Sequence, residues 1–166
     1  MKFHLEHTFT APIDSVEAAM VDPAFLESTQ LPDVGPPQVL GRDDDGAAVT
    51  LRVNYHYTGS LDSLARRVLR VGDVAWVQET TLDRSTHRTT FTVVPKVHPD
   101  RFECRGVMQL TEGTGETTLR VIDGELRIKV PLFGSRAEGL ILPGLRSRMQ
   151  REAELLDEWL KGHPGG

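Results

Sequence analysis

Cysteine is nearly absent, with Cys104 alone among 166 residues, which excludes an internal disulfide framework and a four-thiolate zinc site. Aromatic residues are few (six Phe, two Trp, two Tyr), and no apolar run approaches the roughly 18 residues of a membrane span. Charge of one sign is not in large excess: 24 acidic against 19 basic side chains leave a net charge of −5, which argues against an electrostatic nucleic-acid partner. Met1 to Ala11 alternates polar and apolar residues without a continuous apolar block, so no secretory leader is read there. The length fits one domain, expected over 1–162 with a fraying tail over 163–166. Such a chain can bury a core without a disulfide or metal. A cytoplasmic protein with no integral membrane association is expected, and nothing in the composition sets an oligomeric state.

Phe3, Leu5, His7 and Phe9 occupy every second position and predict a first strand with these side chains on one face. Pro12 suits a first helical turn, Ile13, Val16 and Met20 follow at helical spacing, and Asp22-Pro23 caps a second short helix through Ser28. Leu31 to Pro37 is the strongest loop signal. Gln38–Arg42 can pair with Ala47–Tyr57 across Asp43-Asp44-Asp45-Gly46, placing Val49, Leu51, Val53, Tyr55 and Tyr57 on one face. Leu61–Val71 reads as helix or loop. Four further strands are predicted over Val74–Leu82, Thr86–Val94, Arg101–Thr111 and Glu116–Val130, with short hairpin connections at Asp83-Arg84-Ser85 and Gly113-Thr114-Gly115. Leu119 and Val121 share one parity while Ile122, Leu126, Ile128 and Val130 share the other, which predicts a bulge near Asp123-Gly124. Ser135 with Glu138 has capping-box form. Beyond it Leu142, Leu145, Met149, Ala153, Leu156 and Leu160 form one helical stripe, interrupted at Pro143-Gly144, where a kink or break is expected.

The opening Phe3-His4-Leu5-Glu6-His7-Thr8-Phe9-Thr10-Ala11-Pro12, the Val16…Met20-Val21-Asp22-Pro23 pair of helices and the closing segment Gly124 to Glu138 resemble the START-like superfamily, also called SRPBCC or helix-grip. Within it, the closing segment and Glu152…Trp159-Leu160 are most similar to a bacterial family of unassigned function, common in actinobacteria. The resemblance implies an α+β fold in which a curved antiparallel sheet of six or seven strands wraps around the long C-terminal helix, with a cavity between them. The superfamily includes lipid and hormone carriers, polyketide cyclases and co-chaperones, so the fold by itself does not choose a chemistry.

The residues offer little catalytic material. Asp43-Asp44-Asp45-Gly46 fails as a calcium loop, because Gly41 and Arg52 stand where the first ligand and the final bidentate acid are required; it reads as a turn. Gly113-Thr114-Gly115 lacks the third glycine and the following helix of a dinucleotide loop. Among the histidines at 4, 7, 56, 87, 98 and 163 no pair has metal-ligand spacing, and neither a metal nor a cofactor is expected. Cys104 alternates with Phe102, Gly106, Met108 and Leu110 on an inner face and reads as an inert thiol. Arg66, Arg67 and Arg70 form the densest basic cluster, read as a solvated face rather than an anion grip. No nucleophile elbow is present.

The positions expected to line the cavity are His7, Tyr55, Tyr57, Trp76, Gln78, His87, Phe91, Phe102, Cys104, Met108, Leu142 and Met149, with apolar walls and a few polar groups that suit a hydrophobic or amphipathic, lipid- or polyketide-like molecule. Two rival readings remain open. A cyclase/aromatase-type enzyme would need His7, His87 or Tyr57 as its acid or base, and an interaction module would show an exposed apolar patch and no cavity.

Overall fold

The computed structural model describes residues 1–60, 63, 66 and 74–164. The chain runs β1 (Lys2–Phe9), α1 (Ile13–Met20), α2 (Pro23–Ser28), β2 (Gln38–Asp44), β3 (Ala48–His56), β4 (Ala75–Asp83), β5 (Arg88–Pro95), β6 (Phe102–Glu112), β7 (Thr118–Ile128) and α3 (Gly134–Gly162). Apart from Ser63 and Arg66, the Leu61–Val71 reading lies outside the described residues. The seven strands form one antiparallel sheet in the order β1-β7-β6-β5-β4-β3-β2, so every hairpin neighbour in sequence is a neighbour in space and β1 closes against β7. The turn chemistry is local. Asp45 Oδ1 accepts from the N–H groups of Ala47 and Ala48 at 2.9 and 2.7 Å, and Gly46 takes the left-handed φ of 88° that the β2–β3 turn requires. Asp22 caps α2 by accepting from Ala24 N–H at 2.8 Å, an interaction typically worth about 1 kcal/mol.

Three expectations need correction. No bulge occurs in β7, which pairs without interruption with β1 (Lys2↔Glu125 to Phe9↔Thr118) and with β6 (Phe102↔Ile128 to Glu112↔Thr118). Its inner positions are even-numbered throughout, with Thr118, Arg120, Ile122, Leu126 and Ile128 buried; an inward arginine and the outward Leu119 and Val121 together mimic a change of phase. Of the kink or break expected at Pro143-Gly144, the break does not occur, since α3 is helical without interruption over 29 residues. The missing N–H costs one helical bond, but the leading turns are held from outside. Ala137 packs with Ile128, Leu142 belongs to the buried cluster that holds Phe3 and Leu126, and Glu138 accepts from Ile128 N–H at 2.8 Å while pairing with the Met1 ammonium at 3.1 Å. The same contacts remove the capping box, because Glu138 spends its carboxylate on the sheet and the helix starts after Phe133 with no side-chain cap.

Between sheet and α3 the packing divides in two. Toward the C-terminal end of α3, Phe9, Val16, Phe25, Leu110, Ala153, Leu156 and Leu160 make one buried cluster, with Met20, Leu26, Leu155 and Trp159 partly buried against it. Toward its middle, Phe3, Phe91, Val93, Cys104, Ile122, Leu126, Leu142 and Met149 make another. In the second cluster Gly106 pairs with Gly124 across β6 and β7, and aromatic rings occupy the space their side chains would need. A Cβ on Gly124 would lie 2.3 Å from Phe3 Cζ; one on Gly106 would lie 2.7 Å from Phe91 Cζ and 2.4 Å from the Asp123 carbonyl oxygen. Among the described residues no helix is long and apolar enough to cross a membrane.

Candidate functional site

In-register pairing of β3 with β4 sets Tyr55 opposite Trp76 on the inner face. Their rings stack at 5.5 Å with 13° between planes. Arg148 reaches them from α3, its guanidinium carbon 5.3 Å from the Tyr55 ring centre and 5.0 Å from that of Trp76. Only 9% of Arg148 is exposed, and among the described residues no carboxylate pairs with it. Burial lowers its affinity for the proton, offset in part by Tyr55, Cys104 and Glu152. Burial likewise pushes the Tyr55 hydroxyl up to about 12, against the pull of Arg148. Trp76 Nε1 is sealed from solvent without an acceptor.

A second polar group lies across α3. Arg120, 1% exposed, donates from Nη1 and Nη2 to the Glu152 carboxylate at 3.3 and 2.7 Å. Its Nη2 also lies 3.3 Å from His7 Nδ1. A guanidinium can only donate, so His7 Nδ1 accepts and the ring proton resides on Nε2, which is buried with no partner. Gln150 approaches the ring without reaching hydrogen-bond geometry. Burial first, and the Arg120 charge second, hold His7 below its usual value of 6.5.

The positions expected to line a cavity distribute unevenly. Phe91, Cys104, Leu142 and Met149 are buried in the middle cluster, with Trp76, Phe102 and Met108 partly buried against it. Burial raises the Cys104 thiol to about 11. Gln78 stands on the inner face between Val53 and Val93 and is partly buried. Tyr57 lies past the end of β3, bridged to Val34, where its hydroxyl would be 2.5 Å from a Cβ on Gly59. His87 occupies the turn before β5 with φ 53°, and its Nδ1 is 2.7 Å from Glu17 Oε2 on α1. Those two therefore stand apart from the Tyr55–Trp76–Arg148 group. Of the basic cluster, Arg67 and Arg70 lie outside the described residues.

Arg148, Arg120 and Glu152 were not picked out by sequence reasoning. The signal for two of them was present: Leu145, Arg148, Glu152 and Leu156 share one helical stripe, so two charges sit on the face that apolar residues direct inward. Open depressions mark the outside of the described residues. One of about 300 Å³ lies among Phe25, Thr29 and Trp159, and one of about 560 Å³ lies over Gly106 and Gly124 on the outer sheet face. Neither includes the Tyr55–Trp76–Arg148 group.

Solved structures share this architecture end to end. A Thermus thermophilus protein, TTHA0849, superposes with a TM-score of 0.73 at 18% identity, over 99% of this chain and 100% of that one. The Zhui aromatase/cyclase from Streptomyces sp. R1128 gives 0.66 at 15% identity over 100% and 99%. A START superfamily protein from Mycobacterium smegmatis gives 0.57 at 13% identity over 97% of each chain. No curated protein matches the sequence. The fold is thus the START-like helix-grip, and at these identities the likeness extends to the fold alone. Residues 4–160 match the family described as "Protein of unknown function (DUF2505)", and over that span the chain belongs to it.

Proposed function

We propose that the protein binds a hydrophobic or amphipathic small molecule of lipid or polyketide type between the inner sheet face and α3. One observation carries this reading. Leu5, Trp76, Phe102 and Met108 from the sheet and Ile141 and Leu145 from the helix pack on the buried middle cluster, yet each keeps part of its surface accessible. At the edge of these apolar walls the buried Arg148 guanidinium, which no carboxylate pairs among the described residues, lies over the stacked Tyr55 and Trp76 rings and adds a polar centre. Mostly apolar walls with a few polar groups are what a small-molecule site presents. The shared fold of the Streptomyces aromatase/cyclase is compatible with this reading, but His87 is paired with Glu17 and Tyr57 lies past the end of β3, which leaves a cyclase only His7 among its three candidate acids and bases.

The test uses an uncharged, environment-sensitive dye, Nile red, and the Trp159→Phe variant, in which Trp76 is the sole remaining tryptophan. Saturable binding near 1:1, a rise in melting temperature and a change in Trp76 emission are expected together. Absence of saturable binding, or binding that leaves Trp76 emission unmoved, overturns the proposal.

A further inference from the structure

Arg148 is placed where a charge is hard to keep. Its guanidinium lies between helix and sheet on two aromatic faces, 91% of the residue being buried. Cation–π contact returns only part of the hydration lost there. The nearest partner by spacing is Glu152, four residues on along the same helix, but both of its oxygens are taken by Arg120. Beside the guanidinium, Trp76 Nε1 is a sealed N–H with no acceptor. The group thus offers donors and positive charge at its centre, apolar surface around it, and, among the described residues, no acceptor hydrogen-bonded to Arg148 or to Trp76 Nε1.

Resting on the binding function proposed above, we infer that the site selects an apolar molecule bearing a carboxylate, which docks on the planar fork of Arg148 with Trp76 Nε1–H as a second donor. A carboxylate matches the guanidinium in geometry as well as charge. It also supplies the acceptor that the Trp76 indole lacks. The apolar remainder would lie along the accessible surfaces of Phe102, Met108 and Leu145.

Two acid/alcohol pairs test this by calorimetric titration of the full chain at pH 7.5: dodecanoate against dodecanol, and 2-anthracenecarboxylate against 2-anthracenemethanol. At least one acid is expected to bind about tenfold or more tightly than its alcohol. Arg148→Met should erase that preference while leaving alcohol affinity within about threefold. Arg148→Lys retains the charge without the fork and should bind the acid more weakly than the native chain. Equal affinity for acid and alcohol in the native chain overturns the carboxylate inference and leaves the binding function standing. Failure of all four compounds to bind overturns both. If Arg148→Met does not fold, the native comparison and the Lys variant still decide, and a variant that keeps the preference for acid rules out Arg148 as its source.

Discussion

Two buried arginines flank α3, and they are provided for in opposite ways. Arg120 enters from β7 with a two-oxygen partner in Glu152, a histidine nitrogen beside it and the Phe9 ring 5.1 Å away. Arg148 enters from the helix with two rings and, among the described residues, no carboxylate. A paired buried cation is bound into the fold, and removing its partner strands it. An unpaired one costs stability that its two ring contacts return only in part, the kind of cost proteins carry where function rather than folding needs the group.

Breaking the paired side should have the largest effect. Glu152→Ala leaves Arg120 charged and 1% exposed; allowing for partial exposure of Glu152, a loss of about 2–3 kcal/mol is expected, read from denaturant midpoints at unchanged m-value. Arg148→Met should go the other way, gaining about 1 kcal/mol in the ligand-free protein because an unpaired charge is replaced by an apolar chain of similar length. A loss comparable to that of Glu152→Ala would show that Arg148 serves the fold, and the contrast between the two arginines would collapse.

The smallest effect concerns pH. His7 titrates below 6.5 when folded, held down by burial and by Arg120, so as pH falls through 6.5 the unfolded chain takes up a proton that the folded one refuses, and stability declines on acidification. His4 is shifted the opposite way by its hydrogen bonds to Asp123 and Glu6, and the native curve therefore mixes both. Subtracting the melting curve of His7→Gln, whose amide oxygen can still accept from Arg120, should leave a stability difference that is constant above about pH 7.5 and shifts against the native chain below 6.5. A flat difference across pH 5–8 would mean that His7 is not sealed beside Arg120.

Much of this molecule was legible in its sequence, for a physical reason. Where side chains alternate cleanly, as from Val49 to Tyr55, the pleat alone assigns the face, and Asp22-Pro23 carries its cap in the backbone chemistry of two residues. The misreadings share another cause: partners far along the chain. Arg120 broke the pattern of β7 because its inward charge is matched by Glu152, 32 residues later. Pro143 failed to stop the helix because Phe3, Leu126 and Ile128 hold the turns before it, and Ser135 lost its expected partner because Glu138 turned to the sheet. At the site, Tyr55 and Trp76 were named for the right face. Arg148 was not, since a charged residue on an amphipathic helix is ordinarily assigned to solvent, and only the stacked rings show why it is not there.

The rings that fill the space beside Gly106 and Gly124 tie four positions into one history. With Phe3 Cζ 2.3 Å from where a Cβ on residue 124 would stand, a lineage cannot enlarge position 124 before reducing position 3, and the order of the two changes is therefore constrained. Position 106 is bound more tightly still, because the Asp123 backbone blocks it whatever becomes of Phe91. Across homologues, residues 3 and 124 should exchange in pairs, large with small, whereas residue 106 should stay glycine on both backgrounds.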